Sequence, residues 1–279
     1  MKNHKFILIL LVATLGFFSC NNESVFEAPD IPDVIVDPDP DPDTGPLTYE
    51  DIQENFSNID FVTGANDISL ENLNDSNWDF RVVLPDVDFN NNNRPLIITL
   101  HGCASCGISP DAHKFTECLA ELGFEALDAI IISPNSNGKL WHESENQEQI
   151  LSLVDLASTY LSVDTDKIVI HGYSDGGNGS WFFSETQQNI FSASIPMASH
   201  YNTTNSGVGR VIPMPVYVIH GEDDALFPLG DVQSWVNASI DSGSDITMVV
   251  ALGLTHNEPC SYASYLQDAA DWLVNHVWN

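Results

Sequence analysis

The stretch "KIVIHGYSDGGNGSWFF" (167–183) decides how the rest of the chain is read. Three β-branched residues, Ile168, Val169 and Ile170, form a short buried-strand signal that stops at Gly172. Gly172, Ser174 and Gly176 then give the pattern G-x-S-x-G, and the apolar "WFF" opens a helical run. A strand that turns sharply into a helix around a serine holds that serine in a strained backbone conformation. Side chains two before and two after it would collide, so both positions call for glycine. Gly177 lets the new helix pack close to the sheet. Ser174 is therefore the candidate nucleophile, and the acid directly after it, Asp175, needs explaining.

The flanking chain alternates apolar strands with amphipathic stretches. Strands are expected at 79–86, 94–102, 128–134, 166–174, 191–199, 214–221 and 245–253. Helices are expected at 111–124 (with Asp111 as N-cap), 146–161, from about 176, at 231–243 and at 261–278. Strands apolar on both faces and separated by helices imply an α/β fold, a mostly parallel sheet with helices on both faces. Residues 47–279 read as one such domain. Ligands of these sheets bind beyond the carboxyl ends of the strands, so the strand ends carry the functional signal.

A serine hydroxyl needs a base, and the base needs an acid to orient it. Asp224 lies beyond the strand "VYVI" and His256 beyond the strand "MVVALGL". The order Ser, acid, His is one that such folds use. Asp224 is favoured over its neighbour Asp223 because it sits three residues past Gly221 and can turn back towards His256. Of nine histidines, His256 alone has both order and position. His101, His171 and His220 precede glycines at strand ends and are read as ligands of loop backbone. His142 sits in a loop on the site side. Two backbone N–H groups must hold the oxyanion of a tetrahedral intermediate. Those of Asp175 and Cys103 are the candidates, and the Asp175 carboxylate should then face away from that pocket. Trp141 and Tyr173 are candidates for a substrate pocket, as is Trp181 unless it is core.

The N-terminus reads differently. Residues 1–20, "MKNHKFILILLVATLGFFSC", have early lysines, an apolar run and a small residue before Cys20, the layout of a signal peptide with a lipidation site at Cys20. Residues 21–46 include "APDIPDVIVDPDPDPDTGP" (28–46). Alternating Asp and Pro cannot build a core, and the segment reads as an extended acidic tether. It lacks the glycine and spacing of a calcium loop. The net charge of −32 with eight basic residues disfavours nucleic acid and polyanionic partners. The expected localisation is the cell envelope, with membrane contact through the lipid only and the protein monomeric. Cys103, Cys106, Cys118 and Cys260 suggest two disulfides, for which sequence alone allows three pairings. No second pair accompanies "CASC" (103–106), so a metal site is not expected.

These motifs carry a resemblance. "PLIITLHGC" (95–103), "DKIVIHGYSDGGNGSWFF" (166–183), "IPMPVYVIHGEDDALFP" (212–228) and "GLTHNEPC" (253–260) resemble exported α/β-hydrolase esterases related to polyhydroxybutyrate depolymerases and feruloyl or acetylxylan esterases. They also resemble a neighbouring group labelled predicted peptidases. The resemblance covers about residues 79–278. It implies an α/β-hydrolase fold, a Ser174–Asp224–His256 triad, a small or polymeric ester as substrate, and no metal or organic cofactor. The alternatives are a serine peptidase of prolyl-oligopeptidase type and a non-catalytic binding lipoprotein. "GLTHNEPC" departs from the resembled pattern, with Pro259 and Cys260 where a tryptophan often stands. From that departure come two expected pairings: Cys103–Cys260 with Cys106–Cys118, or Cys260 with Cys106 instead.

Overall fold

The computed structural model describes residues 45–89 and 92–279. The leader at 1–20, Cys20 and the tether up to residue 44 lie outside the described residues.

Helix α1 (Tyr49–Ser57) begins at a capping box: the Thr48 hydroxyl accepts from the Asp51 amide at 3.2 Å, and the Asp51 carboxylate accepts from the Thr48 amide at 2.8 Å. Its Ile52 and Phe56 are buried. β1 (Gly64–Glu71) and β2 (Asn77–Leu84) form an antiparallel hairpin. Next come β3 (Arg94–Leu100), the single-turn α2 (Leu122–Phe124), β4 (Ile130–Pro134), α3 (Ser144–Tyr160) and β5 (Val163–Tyr173). Then follow α4 (Asp175–Thr186), β6 (Ala193–Met197) and the two-residue strands β7 (Thr204–Asn205) and β8 (Val208–Gly209). β9 (Val216–Gly221), α5 (Leu229–Asp241), β10 (Ile246–Ala251) and α6 (Ala263–Trp272) complete the order.

Eight strands make one sheet in the order β1-β2-β4-β3-β5-β6-β9-β10. β2 is antiparallel to β1 and β4, and every other pairing is parallel. The central strands are buried on both faces, which is why they read as unbroken apolar runs. Alternation along each strand splits them between two cores. Leu96, Ile98, Ile130, Ile132, Ile168 and Ile170 face α1, α3, α4 and α5. Ile97, Ile131, Val169 and Ile219 face the opposite way, with Phe124 of α2 and Leu266, Ala269 and Ala270 of α6.

The expected strands are all present, with ends that coincide or shift by up to three residues. β1 and α1 were not anticipated. β1 is an edge strand whose residues alternate between half-buried and exposed along most of its length, and "GANDISLE" holds one β-branched residue. The helix expected at 111–124 is a correction. The segment breaks into a 3-10 turn at Ala112–Lys114, a π turn at Glu117–Glu121 and α2. Asp111 caps nothing and pairs instead with Lys114 at 2.8 Å. A covalent tie from Cys118 and the close approach of Gly123 to Leu266, where a Cβ would clash, set the path of this segment.

The tie also corrects the disulfides. Cys103 pairs with Cys106, and Cys118 with Cys260; neither expected pairing occurs. Cys103 adopts φ +56 and its carbonyl accepts from the Cys106 amide at 3.1 Å. That tight turn brings the two Cα atoms to 5.1 Å, within bonding reach. Cys260, in the 3-10 turn Pro259–Tyr262, meets Cys118 at a Cα separation of 5.0 Å. The two bridges differ in what they constrain. Cys118–Cys260 closes a sequence separation of 142, which in a chain-entropy account amounts to about 5 kcal/mol against about 2 kcal/mol for the short loop. Replacing both Cys118 and Cys260 by alanine should therefore lower stability by several kcal/mol in denaturant titration. The same change at Cys103 and Cys106 should cost less, and equal losses would contradict this ranking.

Candidate active site

Parallel strands place the carboxyl ends of β3, β5, β9 and β10 on one edge of the sheet, and the candidate residues leave from those ends. Ser174 stands between β5 and α4 with φ +58 and ψ −118. That conformation costs a non-glycine residue about 1–3 kcal/mol and persists because its surroundings dictate it. The Ser174 amide donates to the Met197 carbonyl at 3.0 Å. A Cβ on Gly172 would run into the Gly176 backbone, and one on Gly176 into the Leu100 carbonyl. One on Gly177 would meet the Met197 carbonyl oxygen at 2.6 Å. The glycines are thus demanded by the contact of α4 with β3, β5 and β6.

The Ser174 hydroxyl lies 2.9 Å from His256 Nε2. His256 Nδ1–H donates to Asp224 Oδ2 at 2.8 Å. Asp224 is buried, and its Oδ1 accepts from the amides of Leu226 (3.0 Å) and Phe227 (2.8 Å). Asp223 is exposed, its amide spent on the Leu254 carbonyl at 3.0 Å. The Phe227 ring stands edge-on to His256 at 4.8 Å.

The His256 loop is held from below. Tyr173 donates from its phenol to the His256 carbonyl at 2.7 Å, and Tyr262 to the Thr255 carbonyl at 3.0 Å. Four residues beyond His256, Cys260 is bridged to Cys118. Tyr173 also lines a cavity of about 620 Å³ with Cys103, Ile108, Phe115, Leu119 and Pro259. Its clamp on the histidine loop was missed: the serine motif marks its position, but only folding brings residue 256 to it.

Gly102 sits against Ser174; a Cβ there would be 3.1 Å from Ser174 Cβ. His101 accepts the Ser136 amide at Nε2 (3.1 Å), so its Nδ1–H donates to the Gly102 carbonyl (2.8 Å). In a trans peptide the next N–H, that of Cys103, points the opposite way. Asp175 begins α4 half-buried, where a carboxylate suits the positive helix end. It is not among the cavity walls, and its charge acts on His101.

Trp141 is a correction. Its indole is 1% exposed, donates to the His101 carbonyl at 3.0 Å and packs over Gly179, so it is core beneath the loop after β3 and not a pocket wall. Trp181 is likewise buried, stacked on Tyr201. His142 is exposed beside Phe182 and lines no part of this cavity. His220 Nε2–H donates to the Phe227 carbonyl at 2.7 Å, holding the acid turn. His171 differs from its expected role, because it bonds side chains: Thr99 donates to Nδ1 at 2.9 Å and Nε2–H reaches Met197 Sδ at 3.0 Å.

Burial pushes His171 down to about 3, and it also lowers His101 and His220. The folded protein resists protonating these rings, whereas the unfolded chain accepts protons below about pH 6.5. Their contribution is intact above that value and is lost as pH falls towards the folded pKa. For His171 alone the loss is about 2 kcal/mol by pH 5. The melting temperature should hold from pH 7.5 to about pH 6.5 and fall from there to pH 5. A flat profile would contradict neutral burial of these histidines.

Residues 90–272 match the dienelactone hydrolase family. No match is found among curated proteins. Among solved structures, a thermostable esterase superposes with a TM-score of 0.62 at 18% identity, over 75% of this chain and 62% of that one; the chain thus spans under two thirds of that esterase. FphF, a fluorophosphonate-binding serine hydrolase of Staphylococcus aureus, gives 0.61 at 15% identity, over 76% of this chain and 98% of its own. A truncated carbohydrate esterase from gut microbiota gives 0.59 at 15% identity, over 72% and 91%. These likenesses establish the α/β-hydrolase fold.

Proposed function

The chain belongs to the dienelactone hydrolase family, and on that footing we propose that it is a serine hydrolase that cleaves carboxylic esters through Ser174, His256 and Asp224. One observation carries the proposal: the unbroken line from Ser174 Oγ to His256 Nε2 (2.9 Å) and from Nδ1 to the buried Asp224 carboxylate (2.8 Å). Ser174 Oγ attacks the ester carbonyl as its proton passes to Nε2. The imidazolium that forms is stabilised by Asp224, which two backbone amides keep in place. The carbonyl oxygen gains the negative charge, and the N–H groups of Cys103 and Asp175 receive it. Collapse of the intermediate breaks the bond to the alcohol, which leaves with the proton from Nε2. Water then repeats the attack on the acyl-serine and restores Ser174. Polysaccharide-linked acyl or feruloyl esters and polyesters are the substrate classes proposed.

Ser174→Ala should lower turnover of p-nitrophenyl acetate by about 10⁴-fold or more and abolish labelling by a fluorophosphonate probe. Retained turnover would sink the assignment. Faster cleavage of peptide anilides than of esters would favour a peptidase instead.

Tyr173→Phe removes one of the supports of the His256 loop while sparing the ring. The loss of one such hydrogen bond is worth about 1 kcal/mol, so kcat should fall about fivefold with KM little changed. An unaltered kcat would show that the clamp plays no part in positioning the base.

A further inference from the structure

A second cavity of about 890 Å³ lies across Ile108 from the first, and Ile108 lines both. Ile108 is 80% exposed and forms the ridge between them. The two share one edge of the sheet. β1 and β4 are both antiparallel to β2, so β1 runs with the parallel strands. The turn after β1 (72–76) therefore sits beside the carboxyl ends of β4 and β3, next to the loop that carries Cys103.

The walls of the second cavity are polar and already held in place. Asn146 Nδ2 donates to the carbonyls of Ser136, Lys139 and Leu140 at 3.0–3.2 Å. Asn77 Nδ2 donates to Ser69 Oγ at 2.9 Å, and Gln149 Nε2 to the Asp79 carbonyl at 3.4 Å. Asn72 Oδ1 accepts from the Asn74 amide and the Ser76 hydroxyl at 2.9 and 3.0 Å. This leaves Oδ1 of Asn77 and Asn146, Oε1 of Gln149 and Nδ2 of Asn72 for a ligand. None of these atoms is sealed from solvent without a partner. Fixed amides offering both donors and acceptors match hydroxyl groups, which do both.

Charge narrows the ligand. Asp75, Asp79, Glu145 and Glu148 line the cavity, and its one lysine, Lys139, is paired with Glu145. An anionic group would be repelled. Among the described residues no group of three or more His, Cys, Asp or Glu side chains is placed to hold a metal ion. An organic ammonium would use the carboxylates but not the Asn72 donor.

We infer that this cavity is a binding subsite for an uncharged polyhydroxylated group, a saccharide portion of the substrate, joined across Ile108 to the apolar cavity beside Ser174. The link to hydrolysis rests on the reading of Ser174 as nucleophile; the binding itself does not. An ester with an apolar part and a sugar part would span the ridge, each part in a cavity of its own polarity.

Calorimetric titration of the full chain with xylohexaose and cellohexaose, which carry no ester, should give saturable binding to at least one. Hexagalacturonate should not bind. Ser174→Ala should bind as wild type does. The exposed Asn77→Ala should weaken binding about fivefold with an unchanged melting curve, and should raise KM for acetylated xylohexaose by a similar factor. No binding of either neutral oligosaccharide would overturn the subsite, as would binding indifferent to Asn77→Ala. Displacement of the bound oligosaccharide by spermidine would overturn it in favour of a cationic ligand. Failure of ester turnover with oligosaccharide binding intact would instead overturn the role of Ser174 alone.

Discussion

The whole site hangs on one steric constraint: the Ser174 backbone is held in the left-handed region because α4 is pressed against β3 and β5. Gly176 touches the Leu100 carbonyl and Gly172 touches Gly176, with no room for a methyl group at either. The serine amide is meanwhile drawn to the Met197 carbonyl. The turn leaves the side chain at the tip, where the carboxyl ends of neighbouring strands can deliver partners to it. Strain here is maintained by buried packing on the face of the sheet that α4 covers, where Trp181 and Phe183 of α4 are themselves core.

The remaining parts are arranged around that tip by loops that would otherwise be mobile. The His256 loop is fixed three times, through Tyr173, Tyr262 and the Cys118–Cys260 bridge. The acid turn is fixed by its own amides to Asp224 and by His220 to the Phe227 carbonyl. The loop after β3 is fixed by His101 and by the short Cys103–Cys106 bridge. Each catalytic candidate therefore has a buried neighbour whose task is orientation. Two of these neighbours, His101 and His220, are histidines that burial keeps from protonating, in a protein of net charge −32. Their neutrality comes from burial, against an acidic chain that would otherwise favour protonation.

The same edge of the sheet carries two cavities of opposite character. The apolar one is walled by both disulfides and the partly irregular 111–124 segment; the polar one is walled by the β1–β2 turn and the start of α3. Phe115, just after the 3-10 turn of that segment, is 81% exposed at the first cavity.

The sequence by itself determined the strand order of events along the chain, the serine turn and the two residues that answer it. Those signals are local: β-branched runs, glycines two either side of Ser174, and an acid and a histidine just past strand ends. Asp224 over Asp223 was legible too, because three residues past a strand end is where a turn comes back. What tertiary structure decided was everything resting on contact between distant segments. The disulfide partners depend on which turn Cys103 closes and on where the 3-10 turn at Cys260 docks, and spacing cannot reveal either. Trp141 became core and Tyr173 a clamp because exposure is a property of the packed sheet, not of a residue's place in a motif. β1 escaped notice because it is stabilised by its partner strand, with little apolar pattern of its own, and α1 because its apolar face is only Tyr49, Ile52 and Phe56 in a nine-residue helix.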